Sequence, residues 1–116
     1  MTNKRKGNYG ESLACAELSS KGYRILERNY QKVIGEIDIV ALEGMTLVFI
    51  EVKTRKDDKY GQGAEAVTNS KQQKIIKTAM HYILEKGFEG LQCRFDVIEI
   101  TLMPFPAIRH IENAFE

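Results

Sequence analysis

Four charged residues interrupt an apolar stretch, residues 35–55, and this pattern restricts the possible folds more than any other feature of the sequence. The stretch is G-E-I-D-I-V-A-L-E-G-M-T-L-V-F-I-E-V-K-T-R, in which Glu43-Gly44 separates two runs rich in Ile, Val, Leu and Phe. Such runs predict two strands joined by a tight turn, because glycine readily adopts the positive φ that short hairpin loops need. Buried charges without partners cost several kcal/mol, so these four require a cation, a partner chain or an opening to solvent. They are Glu36, Asp38, Glu51 and Lys53.

A turn at Glu43-Gly44 determines how the two strands pair. With a two- or four-residue loop centred there, the predicted opposite pairs are Leu42 with Met45, Asp38 with Phe49 and Glu36 with Glu51. Because side chains alternate between faces with period two, the charged residues of both strands then share one face. That face comprises Glu36, Asp38, Phe49, Glu51 and Lys53. Asp38 and Glu51 become diagonal neighbours about 7–8 Å apart, so both carboxylates can reach one ion.

Two or three carboxylates beside a lysine form a donor set suited to a hard divalent cation. Mg²⁺ takes one or two carboxylates together with waters and phosphate oxygens, and it lowers the pKa of a bound water. Lys53 would position that water or neutralise developing charge. The alternative is that each charge is a solvated strand-end residue or half of a surface ion pair. Repulsion between directly opposed Glu36 and Glu51 favours the shared ligand face.

Length and composition predict one domain that spans residues 1–116. The chain has 116 residues, of which 43% are hydrophobic and 28% charged, as in a soluble protein with one core. No apolar run reaches the roughly 18–20 residues of a membrane-spanning helix. No apolar segment follows the basic N-terminus, so we expect a cytoplasmic protein without a membrane partner. Cys15 and Cys93 lack metal-ligand spacing and are expected to be buried free thiols.

Two predicted helices flank the hairpin, and each has a polar residue on its apolar stripe. The first covers residues 8–21, and Glu11 begins its inward-facing stripe. The second covers residues 69–86, and Gln72 lies on the stripe in its first turn, where the helix dipole favours a nearby anion. Each polar residue has a capping alternative, in which its side chain bonds the backbone at the helix start. The capping patterns are Asn8-x-x-Glu11, with Asn8 as N-cap, in the first helix, and Asn69-x-x-Gln72 and Ser70-x-x-Gln73 in the second.

The remaining strands are predicted at residues 23–31, 91–102 and 107–114, the last of them at a sheet edge. Asp96 lies among apolar neighbours, which suggests a basic partner. The polar, glycine-bearing connection at residues 56–68 is either a substrate flap or a simple connector. His81 lacks a second histidine at metal-ligand spacing and is expected at the surface.

The net charge of +1 does not indicate a nucleic-acid-binding protein, but the basic residues are grouped along the chain. The groups are Lys4, Arg5 and Lys6; Lys53, Arg55, Lys56 and Lys59; and Lys71, Lys74 and Lys77. They form a basic face if the fold brings them to one side. Otherwise they only solvate the surface.

The order of these motifs resembles the YraN family of uncharacterised bacterial proteins, which belongs to the PD-(D/E)XK nuclease superfamily. Within that superfamily the chain is similar to archaeal Holliday-junction resolvases. The resemblance covers nearly the whole chain. Its motifs are G-x-x-G-E at 7–11, G-Y-R-I-L-E-R-N at 22–29, G-E-I-D-I-V at 35–40, F-I-E-V-K-T-R at 49–55, K-Q at 71–72 and R-F-D-V at 94–97.

The resemblance implies a restriction-endonuclease-like α/β fold, with a central mixed sheet of about five strands flanked by helices. It implies a nuclease that uses Mg²⁺ or Mn²⁺ to hydrolyse DNA, including branched or damaged DNA. Asp38, Glu51 and Glu11 are then the expected metal ligands, and Lys53 and Gln72 complete the expected catalytic set.

The resemblance also bears on substrate binding and assembly. Arg55, Lys71 and Lys74 are the expected nucleic-acid contacts, and a homodimer is the assembly that analogy with the resolvases suggests. Glu36 belongs to the family pattern, but the superfamily core does not require it. Val33-Ile34 departs from the small or basic residues expected before residue 35.

Two other functions remain open from the sequence. The first is a catalytically silent nucleic-acid-binding module of the same fold, which binds DNA in a salt-dependent way without cleaving it. The second is a structural protein whose acidic face docks a basic partner.

Overall fold

In the computed structural model, which describes residues 3–57 and 67–115 of the chain, a mixed five-stranded sheet lies between two helices. Side chains are described from residue 7 onward in the first of these segments. The elements are α1 (Asn3–Ser20), β1 (Arg24–Lys32), β2 (Gly35–Glu43), β3 (Thr46–Arg55), α2 (Asn69–Lys86), β4 (Gln92–Thr101) and β5 (Ala107–Phe115). The predicted α/β fold, with a central mixed sheet flanked by helices, is confirmed.

The order of strands across the sheet follows the order along the chain, β1-β2-β3-β4-β5. Three neighbouring pairs are antiparallel, and β3 pairs with β4 in parallel. A parallel pair needs a long crossover connection, and the segment that contains α2 provides it. The last strand lies at the edge, as predicted for residues 107–114.

Two hydrophobic clusters fill the space between the sheet and the helices. The α1 side contains Ala14, Leu18, Val48, Ile50 and Ile98, among others. The α2 side contains Leu47, Phe49, Ile75, Ala79 and Tyr82, among others. Successive residues of β3 therefore enter opposite clusters, as the period-two alternation of a strand requires. A strand covered on both faces needs a nearly continuous apolar run, and this explains the composition of β3.

The start of α1 differs from the prediction. The helix begins at Asn3 rather than at residue 8, because the lysines and arginine of its first turn are good helix formers. Asn8 is therefore inside the helix, and its prediction as N-cap is wrong. The capping box Asn8-x-x-Glu11 does not form, so the Glu11 carboxylate is not committed to the helix start.

The start of α2 also uses a different cap. Thr68 is the N-cap, and its side-chain oxygen accepts a hydrogen bond of 3.2 Å from the backbone N–H of Lys71. The alternative capping boxes Asn69-x-x-Gln72 and Ser70-x-x-Gln73 are therefore wrong, because the non-helical residue with a capping oxygen is Thr68, which precedes both. The helix ends at Lys86, and the Gly87 cap that follows has a φ of 72°, the left-handed conformation that favours glycine.

Asp96 joins β4 to the edge strand β5. Its side chain is fully buried, and Arg94 donates two hydrogen bonds to it, of 2.9 and 3.0 Å. His110 Nε2 lies 2.7 Å from Oδ2, and the backbone N–H of Asn113 donates to Oδ1 at 2.9 Å. Burial alone would raise the pKa of Asp96, but these hydrogen bonds and the charge of Arg94 hold it below its usual value. The expectation of a basic partner for Asp96 is confirmed.

Several smaller expectations can be compared with the structure. Cys15 and Cys93 are free thiols, but Cys93 is exposed because it lies at the uncovered start of β4, so its predicted burial is wrong. His81 is exposed, as expected.

Within residues 3–57 and 67–115, neither helix combines the length and apolar character needed to cross a membrane. Residues 58–66, which contain most of the predicted flap, and the side chains of residues 4–6 lie outside the described part.

Gly10 lets α1 approach β3 closely. A methyl group at Gly10 would lie 1.9 Å from Oγ1 of Thr54 and 3.0 Å from its Cβ. Gly7, one turn earlier in the same helix, has no atom within 4 Å of the corresponding position. The residue after Gly10 is Glu11, so this close approach brings the helical carboxylate against the sheet.

Replacing each glycine with alanine separates packing from helix propensity. Alanine is about 1 kcal/mol better than glycine inside a helix, so Gly7→Ala should stabilise the protein by up to that amount. Gly10→Ala should instead destabilise it by about 1–3 kcal/mol, because Thr54 must move or α1 must shift outward. Urea unfolding of both variants measures the difference, and an equal increase in stability would contradict the close contact.

Candidate active site

The strands β2 and β3 separate at Asp38. Their antiparallel pairing runs from Glu43 and Thr46 to Ile39 and Ile50, and Asp38 is the next residue of β2. Its Oδ2 accepts a hydrogen bond of 2.8 Å from the backbone N–H of β3 residue 52. A side-chain carboxylate thus takes the place of a strand partner, which satisfies a backbone donor and leaves a gap between the strands.

The register of this hairpin is shifted from the predicted one. The predicted pairs Leu42 with Met45, Asp38 with Phe49 and Glu36 with Glu51 are wrong. Leu42 pairs with Leu47, and Val40 pairs with Phe49. The reason is that Gly44, with φ of 59°, is the first of two loop residues rather than the second. The shift is two residues, which preserves parity, so Asp38 and Glu51 still point to the same face.

Glu36 does not oppose Glu51. It is exposed, and its Oε2 accepts a hydrogen bond of 3.0 Å from Gln31 Nε2 on β1. The expected repulsion between Glu36 and Glu51 therefore does not arise from direct cross-strand pairing.

Asp38 and Glu51 form a partly buried carboxylate pair. The Glu51 residue is only 6% exposed. Burial, followed by the negative charge of Glu51, raises the pKa of Asp38 to about 8, although the N–H of Val52 acts in the opposite direction. In the absence of a cation, the carboxylate pair therefore favours holding a proton near neutral pH. Two carboxylates held this close favour either a shared proton or a shared cation.

Two lysines contact the pair through one oxygen of Glu51. Lys71 Nζ on α2 forms a direct ion pair with Glu51 Oε2, and Lys53 Nζ lies 3.8 Å from the same oxygen. Partial burial acts against the charge of Lys71, but the hydrogen bond and charge of Glu51 outweigh it and raise the lysine pKa. Lys71, predicted as a nucleic-acid contact, is therefore placed at the carboxylates themselves.

Glu11 approaches the pair from α1 without joining it. Its side chain is 13% exposed, and Arg28 Nη2 lies 3.8 Å from Oε1. Oε1 is buried and accepts no hydrogen bond in the described part of the chain. Burial raises the pKa of Glu11, although a hydrogen bond from Asn29 and the charge of Arg28 oppose the increase. The charge of Glu11 in turn adds to the raised pKa of Asp38.

The other predicted site residues occupy the margins. Gln72 donates its amide N–H to the backbone oxygen of Val67 at 2.9 Å, which anchors the segment before α2. Arg55 lies farther along β3, with Nη2 3.8 Å from Glu99 Oε2. Lys74 is exposed and lines a cavity of about 350 Å³ together with Lys71 and Glu36.

Asp38 and Glu51 could hold a divalent cation. Among residues 3–57 and 67–115, no three His, Cys, Asp or Glu side chains form a ready metal cluster. Mg²⁺ and Mn²⁺ nevertheless need only one or two protein carboxylates when water and phosphate oxygens complete the shell. The ammonium of Lys71 against Glu51 shows that this position favours a positive charge. The donor chemistry therefore fits a hard divalent cation with two protein ligands and Glu11 nearby.

Sequence reasoning missed Arg28 and Asn29, which surround Glu11. Both lie in the motif G-Y-R-I-L-E-R-N, and Asn29 has a φ of 54°, which is uncommon for a residue other than glycine. The available signal was a cation followed directly by a turn-forming residue within the first predicted strand.

The raised pKa of Asp38 predicts a pH-dependent effect of Asp38→Asn on metal-free protein. The unfolded pKa is near 3.8 and the folded value about 8, so the proton favours the folded state. Wild-type stability should fall as pH rises from 5 to 8, by roughly 3–4 kcal/mol from this group. The neutral asparagine removes that loss, so the stability advantage of Asp38→Asn should grow with pH.

Urea unfolding in EDTA at pH 5, 6.5 and 8 measures this difference. Glu89→Gln, at an exposed position, is the matched control and should follow wild type. A difference between Asp38→Asn and wild type that does not change with pH would contradict the raised pKa.

Comparison with known proteins matches most of the chain to one family. The family model described as Uncharacterised protein family UPF0102 matches residues 10–100. A UPF0102 protein of Caldanaerobacter subterraneus subsp. tengcongensis is 46% identical over 119 residues, covering 99% of this chain and 98% of the relative. A UPF0102 protein of Geobacter sulfurreducens is 49% identical, and the match covers 98% of this chain and 91% of the relative. A UPF0102 protein of Clostridioides difficile is 46% identical, and the match covers 99% of this chain and 100% of the relative. The names of these relatives specify no activity.

Proposed function

The chain belongs to the uncharacterised protein family UPF0102. From the geometry of its carboxylate pair, we propose that it is a metal-dependent nuclease that hydrolyses phosphodiester bonds in DNA. The observation that carries the proposal is the Asp38–Glu51 pair, held at the point where β2 leaves β3 and contacted by two lysines. Branched and damaged DNA are the substrates that the resemblance to resolvases suggests.

The proposed cation is Mg²⁺ or Mn²⁺, held by Asp38 and Glu51. When bound, such an ion polarises a phosphoryl oxygen and lowers the pKa of a coordinated water. Asp38 has to release its proton before it can bind a cation, so affinity should increase with pH. The buried Oε1 of Glu11 is an additional acceptor for a water close to this pair.

The two lysines provide positive charge where a phosphodiester would react. Lys53 lies on the same strand face as Glu51, where its ammonium can position a water and stabilise the charge that develops on phosphate. Lys71 contacts Glu51 and must move when a divalent cation takes that position. Its flexible side chain would then be available to bind a phosphate oxygen beside Lys74.

One observation favours the catalytically silent module as a second candidate. The ammonium of Lys71 already pairs with Glu51, and the raised pKa of Asp38 favours a proton as the neutralising charge on the second carboxylate. A protein that keeps this arrangement in the presence of Mg²⁺ would bind DNA through its basic residues without cleaving it.

A cleavage panel tests the proposal. Wild-type protein with Mn²⁺ or Mg²⁺ should cleave at least one of linear, flapped and four-way DNA. Asp38→Asn and Glu51→Gln should each reduce the rate on the order of a hundredfold or more, because the cation loses a ligand. Glu89→Gln should retain the wild-type rate.

Cleavage by Asp38→Asn at the wild-type rate, or cleavage that persists in EDTA, would contradict the proposed site. Salt-dependent DNA binding without cleavage under any divalent ion would support the silent module instead.

A further inference from the structure

A second cavity opens on the sheet face that carries Glu51. Its volume is about 410 Å³, and its described lining includes Arg55, Glu99, Phe105 and Arg109. Arg55 lies four positions after Glu51 on β3, so both side chains point to the same face. Thr54, the residue before Arg55, points to the opposite face, where its side chain lies against Gly10 of α1. The cavity and the carboxylate pair therefore share one surface.

The cavity has an exposed apolar wall. The segment between β4 and β5 supplies Met103 and Phe105, which are 51% and 77% exposed, and Ile108 at the start of β5 is 36% exposed. Large apolar side chains grouped around an opening mark a binding surface more often than isolated ones do. The Phe105 ring is a flat apolar surface of the kind on which nucleobases stack.

The charged part of the lining favours an anion. Arg55 and Arg109 share a single carboxylate, with Nη2 of Arg55 3.8 Å and Nη1 of Arg109 3.5 Å from Glu99 oxygens. The described lining thus contains two guanidinium groups and one carboxylate. The side chain of Arg109 is 67% exposed. Its guanidinium N–H groups can therefore donate to a phosphate outside the cavity while a nucleobase occupies the cavity.

The spacing along β3 relates this cavity to the proposed cleavage position. Four residues of a strand span about 13 Å. Stacked nucleotides rise about 3.4 Å each along one DNA strand, so this span corresponds to roughly four nucleotides. A base inside a duplex has both faces covered by its neighbours and cannot enter a pocket without leaving the stack.

We propose that this cavity, here called the Phe105 pocket, takes an unstacked base of a DNA strand, with the adjacent phosphate bound by Arg109. The inference rests on the proposed nuclease function and defines its substrate class. Preferred substrates contain unpaired nucleotides about four positions from the phosphate at Asp38 and Glu51. Overhangs, flaps and open branch points meet that requirement, and continuous duplex does not.

Binding in EDTA tests the pocket separately from cleavage. Wild-type protein should bind a duplex with a short single-stranded overhang more tightly than a blunt duplex, measured by fluorescence anisotropy. Phe105→Ala should weaken overhang binding about tenfold and change blunt-duplex binding little, because only the unpaired base loses its stacking surface. Phe105→Tyr, which keeps an aromatic ring, should retain wild-type affinity. A 2-aminopurine in the overhang should change fluorescence on binding to wild type but not to Phe105→Ala.

Met80→Ala is the matched control, since Met80 is an exposed apolar residue on α2 that does not line the cavity. Circular dichroism checks that each variant is folded. Wild-type affinity of Phe105→Ala for the overhang, or equal losses for overhang and blunt duplex, would overturn the pocket and leave the nuclease proposal standing. Failure of wild-type protein to bind the overhang in EDTA would also overturn the pocket, while the cleavage panel with Mn²⁺ or Mg²⁺ decides the nuclease proposal separately.

Discussion

The hydrogen bond from the Val52 N–H to the Asp38 carboxylate is the interaction on which the candidate site depends. It ends the pairing of β2 with β3 after Ile39, because a side chain occupies the position of the next strand contact. The same bond holds Asp38 beside Glu51, where burial and like charge raise the pKa of Asp38 to about 8. A break in the sheet thus creates a position that needs a proton or a cation.

The rest of the fold brings positive charge and a third carboxylate towards this position. Gly10 allows α1 to lie against β3 and presents Glu11, while the cap at Thr68 begins the helix whose first turn carries Lys71. At the far side of the sheet, the buried contacts of Asp96 fix β5, which carries Arg109 of the Phe105 pocket. Helix α2 and β5 therefore contribute to the face of the sheet that carries Glu51, and α1 brings Glu11 towards the gap at Asp38 from the opposite side.

The period-two pattern of residues 35–55 was sufficient to place Asp38 and Glu51 on one face, because a register error of two residues preserves parity. The register itself depended on whether Gly44 is the first or second loop residue, and both choices suit glycine. Asn8 was mistaken for a cap because cap residues also occur inside helices when good helix formers precede them. The Lys71–Glu51 contact depends on where α2 docks after residues 58–66, and no local pattern encodes that position.

A crystal soaked in Mn²⁺ and measured at a wavelength where manganese scatters anomalously tests the central claim most directly. The account predicts one strong anomalous peak between the carboxylates of Asp38 and Glu51, with the Lys71 ammonium moved away from Glu51. A peak elsewhere, or no peak at saturating Mn²⁺ with Lys71 still in contact with Glu51, would contradict it.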